Sequence, residues 1–333
     1  MNHQNKQNGA DPRTQRAERS SYDGDTLAHK TETPRGPVVT IGLSVLAVAF
    51  ISIFTLALVN TENASLSRAA PAQFAAASYA EGAPEVRARA AIIYDITRDT
   101  ILFEKNASAQ LPLASLTKVL LALVAARELP ADAIVLITAE ALVPEGDTGF
   151  RVGERWKLQD LLDATLIPSS NDGAEALALK IGDGSVARAV SIMNIFARDI
   201  GLRNTYFLNP TGLDESATQA GAYGSASDFA RLLAYALRNH PDLLDGTARD
   251  GMLITSESGI EHTTVNTNEA LGQIPGLIAG KTGTTDLAGG NLAVVFDAGI
   301  GRPIVVVALG STASGRFDDV RALVRYARGT LQK

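Results

Sequence analysis

The sequence predicts an α+β fold preceded by one transmembrane helix. Three observations carry that expectation. β-rich runs occur near residue 90 and again beyond residue 276, with helical patterns between them. Strands at both ends of a domain place its first and last segments in one sheet. Far upstream, the run from Val38 to Val59 is uncharged throughout and mostly apolar.

Residues 1–37 are rich in Asn, Gln, Asp, Arg, Ser and Thr and read as a disordered cytoplasmic tail. As a helix, residues 38–59 would be about 33 Å long, enough to cross a bilayer core. A buried soluble helix is the poorer reading, because so long an uncharged run has no polar face. The upstream cations Arg19, Lys30 and Arg35 outnumber the single Arg68 downstream, so the tail is expected inside and the rest exported. The expected location is the cell membrane, single-pass, with the globular part extracytoplasmic. Small residues at 69–72 and 74–77 offer cleavage sites. A secretory apolar region is nonetheless usually about 7–15 residues, so an uncleaved signal anchor is expected. Residues 60–85, rich in Ala and Ser, read as a linker, and 86–333 as the globular domain.

Within that domain, residues 90–96 and 100–104 flank the polar Thr97-Arg98-Asp99 and read as a hairpin. Helices are expected at 119–126, opened by Ser115, and at 156–166, 174–181, 186–200 and 227–238, with residues 167–173 a loop. Residues 276–285, 291–296 and 303–309 read as short strands between Gly-rich turns, and 317–331 as a last amphipathic helix. No internal repeat is present. With 333 residues, 46% of them hydrophobic, the chain can bury at least one full core. A net charge of −6 gives no basic balance for nucleic acid. Cysteine is absent, which excludes disulfides, thiolate catalysis and cysteine metal sites.

The stretch Ala114-Ser115-Leu116-Thr117-Lys118 carries the chemistry. A serine and a lysine three apart lie close on one helix face, about 4.5 Å along the axis and roughly 60° round it. A serine hydroxyl needs a base within reach, and a lysine serves only if burial or nearby cations lower its pKa. Backbone N–H groups at the helix start can face a developing oxyanion. Alone, this pattern is equally an N-cap serine followed by a solvated lysine. Ser169-Ser170-Asn171 alone is ordinary loop chemistry, and Lys281-Thr282-Gly283 alone is a charged strand end. Each occurs once, in this order and in the right kind of element. Together Ser-x-x-Lys, Ser-x-Asn and Lys-Thr-Gly form the signature of the penicillin-recognising serine acyl-transferases.

The surrounding residues narrow this further. Leu113 to Lys118, Leu161-Leu162 through Pro168 to Asp172, Phe207 to Leu213, and Ala279 to Thr284 closely resemble the low-molecular-mass penicillin-binding proteins. These are the serine D-alanyl-D-alanine carboxypeptidases of DacA-like, peptidase S11 type. The resemblance runs from about Arg87 to the C-terminus. Ser170 and Gly173 depart from it, standing where Gly or Ala, and Ala, would be expected. The chain ends soon after its last helix, so the frequent C-terminal β-domain is not expected.

The resemblance implies a serine β-lactamase/penicillin-binding-protein-like fold: an antiparallel sheet flanked by helices plus a helical lobe, with a cleft between. It implies Ser115, Lys118 and Ser169 as catalytic residues, and Asn171, Lys281, Thr282, Gly283 and Thr284 as substrate-binding ones. Ser115 attacks, Lys118 takes its proton, Ser169 relays a proton to the leaving amine, and Asn171 bonds the substrate amide. Lys281 keeps the cleft electropositive and, with Thr282 and Thr284, suits a carboxylate. Gly283 lets a substrate backbone lie along the strand, and the N–H groups of Ser115 and Thr284 form an oxyanion hole. The implied partners are a peptidoglycan stem peptide ending in D-Ala-D-Ala, β-lactams as covalent inhibitors, and the membrane through the N-terminal helix. No cofactor, metal or nucleic acid is implied. Arg302 is a weaker carboxylate binder and reads as structural.

Other hydrolase types fit less well. Gly-x-Ser-x-Gly and His-Glu-x-x-His are absent, and of the four histidines His240 and His262 read as surface residues. A class A-like β-lactamase needs a carboxylate for its deacylating water, and Asn204 to Phe207, ahead of Leu208-Asn209, contain no Glu. A non-catalytic wall-binding or β-lactam-sensing module should have lost a catalytic member, and none is lost.

Overall fold

The structure is a computed structural model that describes residues 82–146 and 148–332. The expected tail, the expected membrane helix and most of the linker lie outside the described residues. Those that are described fall within one compact unit, Ala72–Lys333.

Two apolar runs separated by a polar turn open the domain as a hairpin, β1 (Ala90–Asp95) and β2 (Thr100–Lys105). A short β3 (Leu111–Pro112) and a 3-10 turn over Ala114–Leu116 lead into α1 (Thr117–Glu128). Next come β4 (Ile134–Leu136), β5 (Arg155–Lys157), α2 (Leu158–Leu166), α3 (Asn171–Ile181) and α4 (Val186–Asp199). β6 (Tyr206–Phe207), β7 (Ala222–Gly224) and α5 (Ala226–Asn239) follow, then the hairpin β8 (Leu253–Thr255) and β9 (Glu261–Thr263). The chain closes with β10 (Leu277–Thr285), β11 (Gly289–Asp297), β12 (Pro303–Ser311) and α6 (Gly315–Leu331).

The first and last strands do share one sheet, in the order β10-β11-β12-β1-β2, with every pairing antiparallel. Both of its faces are covered. Ile92, Tyr94, Ala293, Val295, Val305 and Val307 face the helical lobe. Ile93, Leu292, Val294, Phe296, Ile304 and Val306 face α6 through Phe317, Val320 and Leu323. Strands buried on both faces read as continuous apolar runs, which is why Ile304 to Leu309 shows no polar alternation. β10 is an edge strand, and its free edge faces the helical lobe.

Three expectations need correction. Trp156 belongs to a strand, where it pairs with Val135 while Arg155 and Lys157 point outward, so the helix begins only at Leu158. Three residues of inward–outward alternation are too few to outweigh the helical pattern that follows. The loop expected over 167–173 is shorter, because Ser170 caps α3 and the helix begins at Asn171. His262 is no surface residue. Its side chain is 10% exposed and bonds the buried Glu154 at 3.0 Å, against Trp156 and Phe150.

Arg302 holds a structural position. Its Nε and Nη2 donate to Asp95 Oδ2 at 2.9 and 2.8 Å, while Oδ1 accepts from the N–H groups of Thr97 and Arg98. One fully buried carboxylate thus ties the β1–β2 turn to the start of β12. Arg302→Ala is expected to cost about 2 kcal/mol, less than the roughly 3–5 kcal/mol of a fully buried pair, since 21% of the Arg302 side chain meets water. Thermal denaturation should show a clearly lowered Tm, and an unchanged Tm would return Arg302 to the pool of ligand-binding candidates.

Candidate active site

α1 is apolar on every side. All residues from Thr117 to Ala125 are buried, and Lys118 is carried with them to 0% exposure. Ser115 sits one turn earlier, in the 3-10 turn, after Ala114 in left-handed backbone at φ +49°. A non-glycine residue there is strained. The strained carbonyl is held by the Thr117 hydroxyl at 2.8 Å, and Gly212 has no Cβ, which would otherwise lie 1.9 Å from it.

The Lys118 Nζ has three neighbours: Ser115 Oγ at 2.9 Å, Asn171 Oδ1 at 2.7 Å and the Thr211 carbonyl at 2.8 Å. The Asn171 amide cannot turn round, because its Nδ2 donates to the Glu145 carbonyl at 2.6 Å. Burial first, and the Lys281 charge second, hold the Lys118 pKa well below the usual lysine range. A neutral amine keeps two donors and one lone pair. Asn171 Oδ1 and Thr211 O only accept, so the lone pair is left for the one neighbour that bears a hydrogen, Ser115 Oγ–H. The geometry therefore sets Lys118 as a base toward Ser115.

Lys281 projects from β10 and donates to Ser169 Oγ at 2.7 Å and to the Thr282 carbonyl at 3.0 Å. Ser169 itself is in left-handed backbone, φ +64°, just ahead of the Ser170 cap. Burial, with the Arg316 charge second, lowers the Lys281 pKa to about 7. Lys281 alone is thus a weaker source of positive charge than expected.

The structure brings Ser115, Lys118, Ser169, Asn171 and Lys281 together in one cleft. Gly283 lines it as well, since a Cβ there would lie 3.0 Å from the Leu113 carbonyl and 3.1 Å from the Ser115 nitrogen. Thr282 is different. It is buried, and its hydroxyl is engaged by that of Thr267 at 2.5 Å. Thr284 is exposed and bonds the Arg316 guanidinium, which also donates to the Gly283 carbonyl at 2.9 Å. Arg316 was missing from the sequence reading. The signal for it was faint: a cation in the first turn of a helix opposes the macrodipole and so needs another reason to be there. Its Nε is buried without a partner among the described residues.

The two departures from the family pattern have a local cause. Ser170 Oγ accepts the Gly173 N–H at 3.0 Å and meets Thr148 Oγ1 at 2.6 Å, while Thr148 donates to the buried Asp172. A Cβ on Gly173 would lie 2.2 Å from Thr165 Oγ1 and 3.2 Å from Phe150. Thr165 therefore requires glycine at 173.

Against known proteins, the family whose model matches is D-alanyl-D-alanine carboxypeptidase, over residues 77–312. The chain is 32% identical over 206 residues to the D-alanyl-D-alanine carboxypeptidase DacB2 of Mycobacterium tuberculosis, covering 62% of this chain and 69% of that one. It is 30% identical over 246 residues to DacF of Bacillus subtilis, covering 72% of this chain and 62% of that one. The chain thus spans under two thirds of DacF. Among solved structures, penicillin-binding protein D2 of Listeria monocytogenes in its ampicillin-bound form is similar. It aligns with a TM-score of 0.62 at 28% identity, covering 73% of this chain and 98% of that one.

Gly173→Ala is expected to destabilise the chain by about 1–3 kcal/mol through overpacking against Thr165. Adding Thr165→Ala should recover part of that loss in a thermal double-mutant cycle. Purely additive losses would mean that the two positions do not compete for the same space.

Proposed function

The chain belongs to the D-alanyl-D-alanine carboxypeptidase family, and from that membership we propose that it removes the terminal D-Ala from peptidoglycan stem pentapeptides through a serine acyl-enzyme. The observation that carries this reading is the buried Lys118 amine, whose lone pair has only the Ser115 hydroxyl to accept from. Ser115 Oγ bonds to the carbonyl carbon of the penultimate D-Ala as Lys118 takes its proton. The carbon–nitrogen bond then breaks, and the leaving D-Ala amine takes a proton through the Ser169 hydroxyl. Water attacks the resulting ester, its oxygen going to the acyl carbon and one of its protons to Ser115 Oγ, which frees the shortened peptide and restores the serine.

The binding roles follow from position. The substrate backbone lies along β10 at Gly283, and Asn171 is the side chain placed to bond its amide. Beyond Gly280, whose N–H is taken by Thr247 at 3.1 Å, the strand edge is the natural partner for an added strand. The N–H groups of Ser115 and Thr284 serve as the oxyanion hole. The terminal carboxylate meets Lys281, Thr284 and Arg316, the last supplying a charge that persists when Lys281 is neutral. Thr282 contributes through its backbone. Penicillin, whose carboxylate and strained amide match the same features, acylates Ser115.

We also propose residues 38–59 as an uncleaved membrane anchor, with the catalytic domain 86–333 outside the membrane. The uncharged length of the run and the cations ahead of it support this. Among the described residues no helix is long and apolar enough to cross a membrane.

The test is turnover of a pentapeptide ending in D-Ala-D-Ala beside reaction with penicillin. An opened β-lactam keeps its leaving group tethered over the ester, and a general base for water is worth about 10²–10⁴-fold. One equivalent of penicillin should be consumed in a burst and then little more, while the peptide turns over repeatedly. Ser115→Ala should no longer be acylated by penicillin. Sustained penicillin hydrolysis without peptide turnover would instead indicate a class A-like β-lactamase.

The acylation rate should fall as pH drops through the lowered Lys118 pKa, since protonation removes the lone pair. Lys118→Arg, which cannot deprotonate, should be slower by about 10³-fold or more in stopped-flow acylation. Near wild-type acylation by Lys118→Arg would show that the proton goes elsewhere.

A further inference from the structure

Asn291 lies in β11, opposite Gly283 of β10, and is fully buried. Polar side chains are kept in such places only when their hydrogen bonds are met, and Asn291 uses both ends of its amide. Its Nδ2 donates to the Pro112 carbonyl at 3.0 Å and to the Leu113 carbonyl at 3.1 Å. Its Oδ1 accepts the Gly310 N–H at 2.7 Å.

The two ends do different things. On the β12 side the pairing slips, since Gly290 faces Ser311 but Leu292 faces Ala308. Leu309 and Gly310 together oppose Asn291, a β-bulge with Gly310 at φ +68°. The bulge frees an N–H from the ladder, and that N–H fixes which way the Asn291 amide faces. On the other side, the amide is aimed at the two carbonyls just ahead of strained Ala114 and Ser115. Gly283 meets the same segment from β10, where a Cβ would lie 3.0 Å from the Leu113 carbonyl.

We propose that Asn291 is a positioning residue for the acyl transfer: through the Pro112 and Leu113 carbonyls it sets the gap between the Ser115 turn and the edge of β10. That gap is where the acylated carbonyl must fit between the nucleophile and the strand. The inference rests on the assignment of Ser115 as nucleophile. A displacement on the order of 1 Å at such a site costs about 100-fold in rate, and the two donated bonds, added to the Leu113 N–H bond to the Ala222 carbonyl at 3.0 Å, oppose it.

The test uses Asn291→Asp, which keeps an acceptor for Gly310 but loses both donors, and Asn291→Ala, which loses all three bonds. Where Asn291→Asp does not fold, Asn291→Ser with its single hydroxyl donor takes its place. Arg302→Ala serves as a control, destabilised at a distance from the cleft. Each protein is labelled with fluorescent penicillin below its own Tm, and both rate and final stoichiometry are recorded. The expected result is slower acylation by about 10–100-fold in the Asn291 variants, at one label per folded chain, with Arg302→Ala labelling at the wild-type rate. Wild-type rates in folded Asn291 variants would overturn the proposal. So would a lowered stoichiometry with an unchanged rate, which marks a stability role alone. Failure of the wild type itself to label would contradict the nucleophile assignment instead.

Discussion

Taking a lysine ammonium out of water costs several kcal/mol unless the charge is matched or lost. Among the described residues no carboxylate pairs with Lys118, which is fully buried with three oxygen neighbours. The charge is therefore the part that yields, and a neutral amine beside Ser115 results. That outcome needs α1 to be apolar all round, so that helix packing pays for the amine's burial. It also needs the three oxygens to stay where they are. Asn171 is held through Glu145, Thr211 through the turn ending at Gly212, and Ser115 through the Ala114 carbonyl locked by Thr117.

The sheet supplies the other half of the cleft. It is covered on both faces, and on the edge strand the Gly280 N–H is already taken by Thr247 at 3.1 Å. Lys281 reaches from β10 to Ser169, while Arg316 bonds Thr284 and the Gly283 carbonyl. Burial lowers the pKa of both lysines, and a neighbouring charge adds to it: Arg316 at Lys281, and Lys281 at Lys118.

Most of the sheet was legible because β-branched runs bounded by glycine have few other solutions, and Val305 to Leu309 is such a run. The three motifs were legible because each carries its chemistry within four residues. What was not legible depends on partners far away in sequence. Arg316 is 32 residues from the Thr284 hydroxyl it bonds. Asn291 works through backbone carbonyls 179 and 178 residues away, and a carbonyl has no sequence signature. His262 read as a surface residue because nothing near it hints at Glu154, 108 residues away and buried beside Trp156. The motif gives Thr282 a cleft role, but nothing in it hints that the hydroxyl is engaged by Thr267, 15 residues away.

The protonation state of Lys118 can be read directly. Lysine side chains labelled with carbon-13 at Cε report ionisation through their chemical shift, and Lys118→Arg identifies which resonance belongs to Lys118. The Lys118 resonance is expected to titrate well below the ordinary lysine value of 10.5, with the amine neutral at the pH where acylation is fast. A Lys118 signal that stays protonated up to the ordinary lysine range, in an enzyme that acylates at full rate below it, would rule out Lys118 as the neutral base.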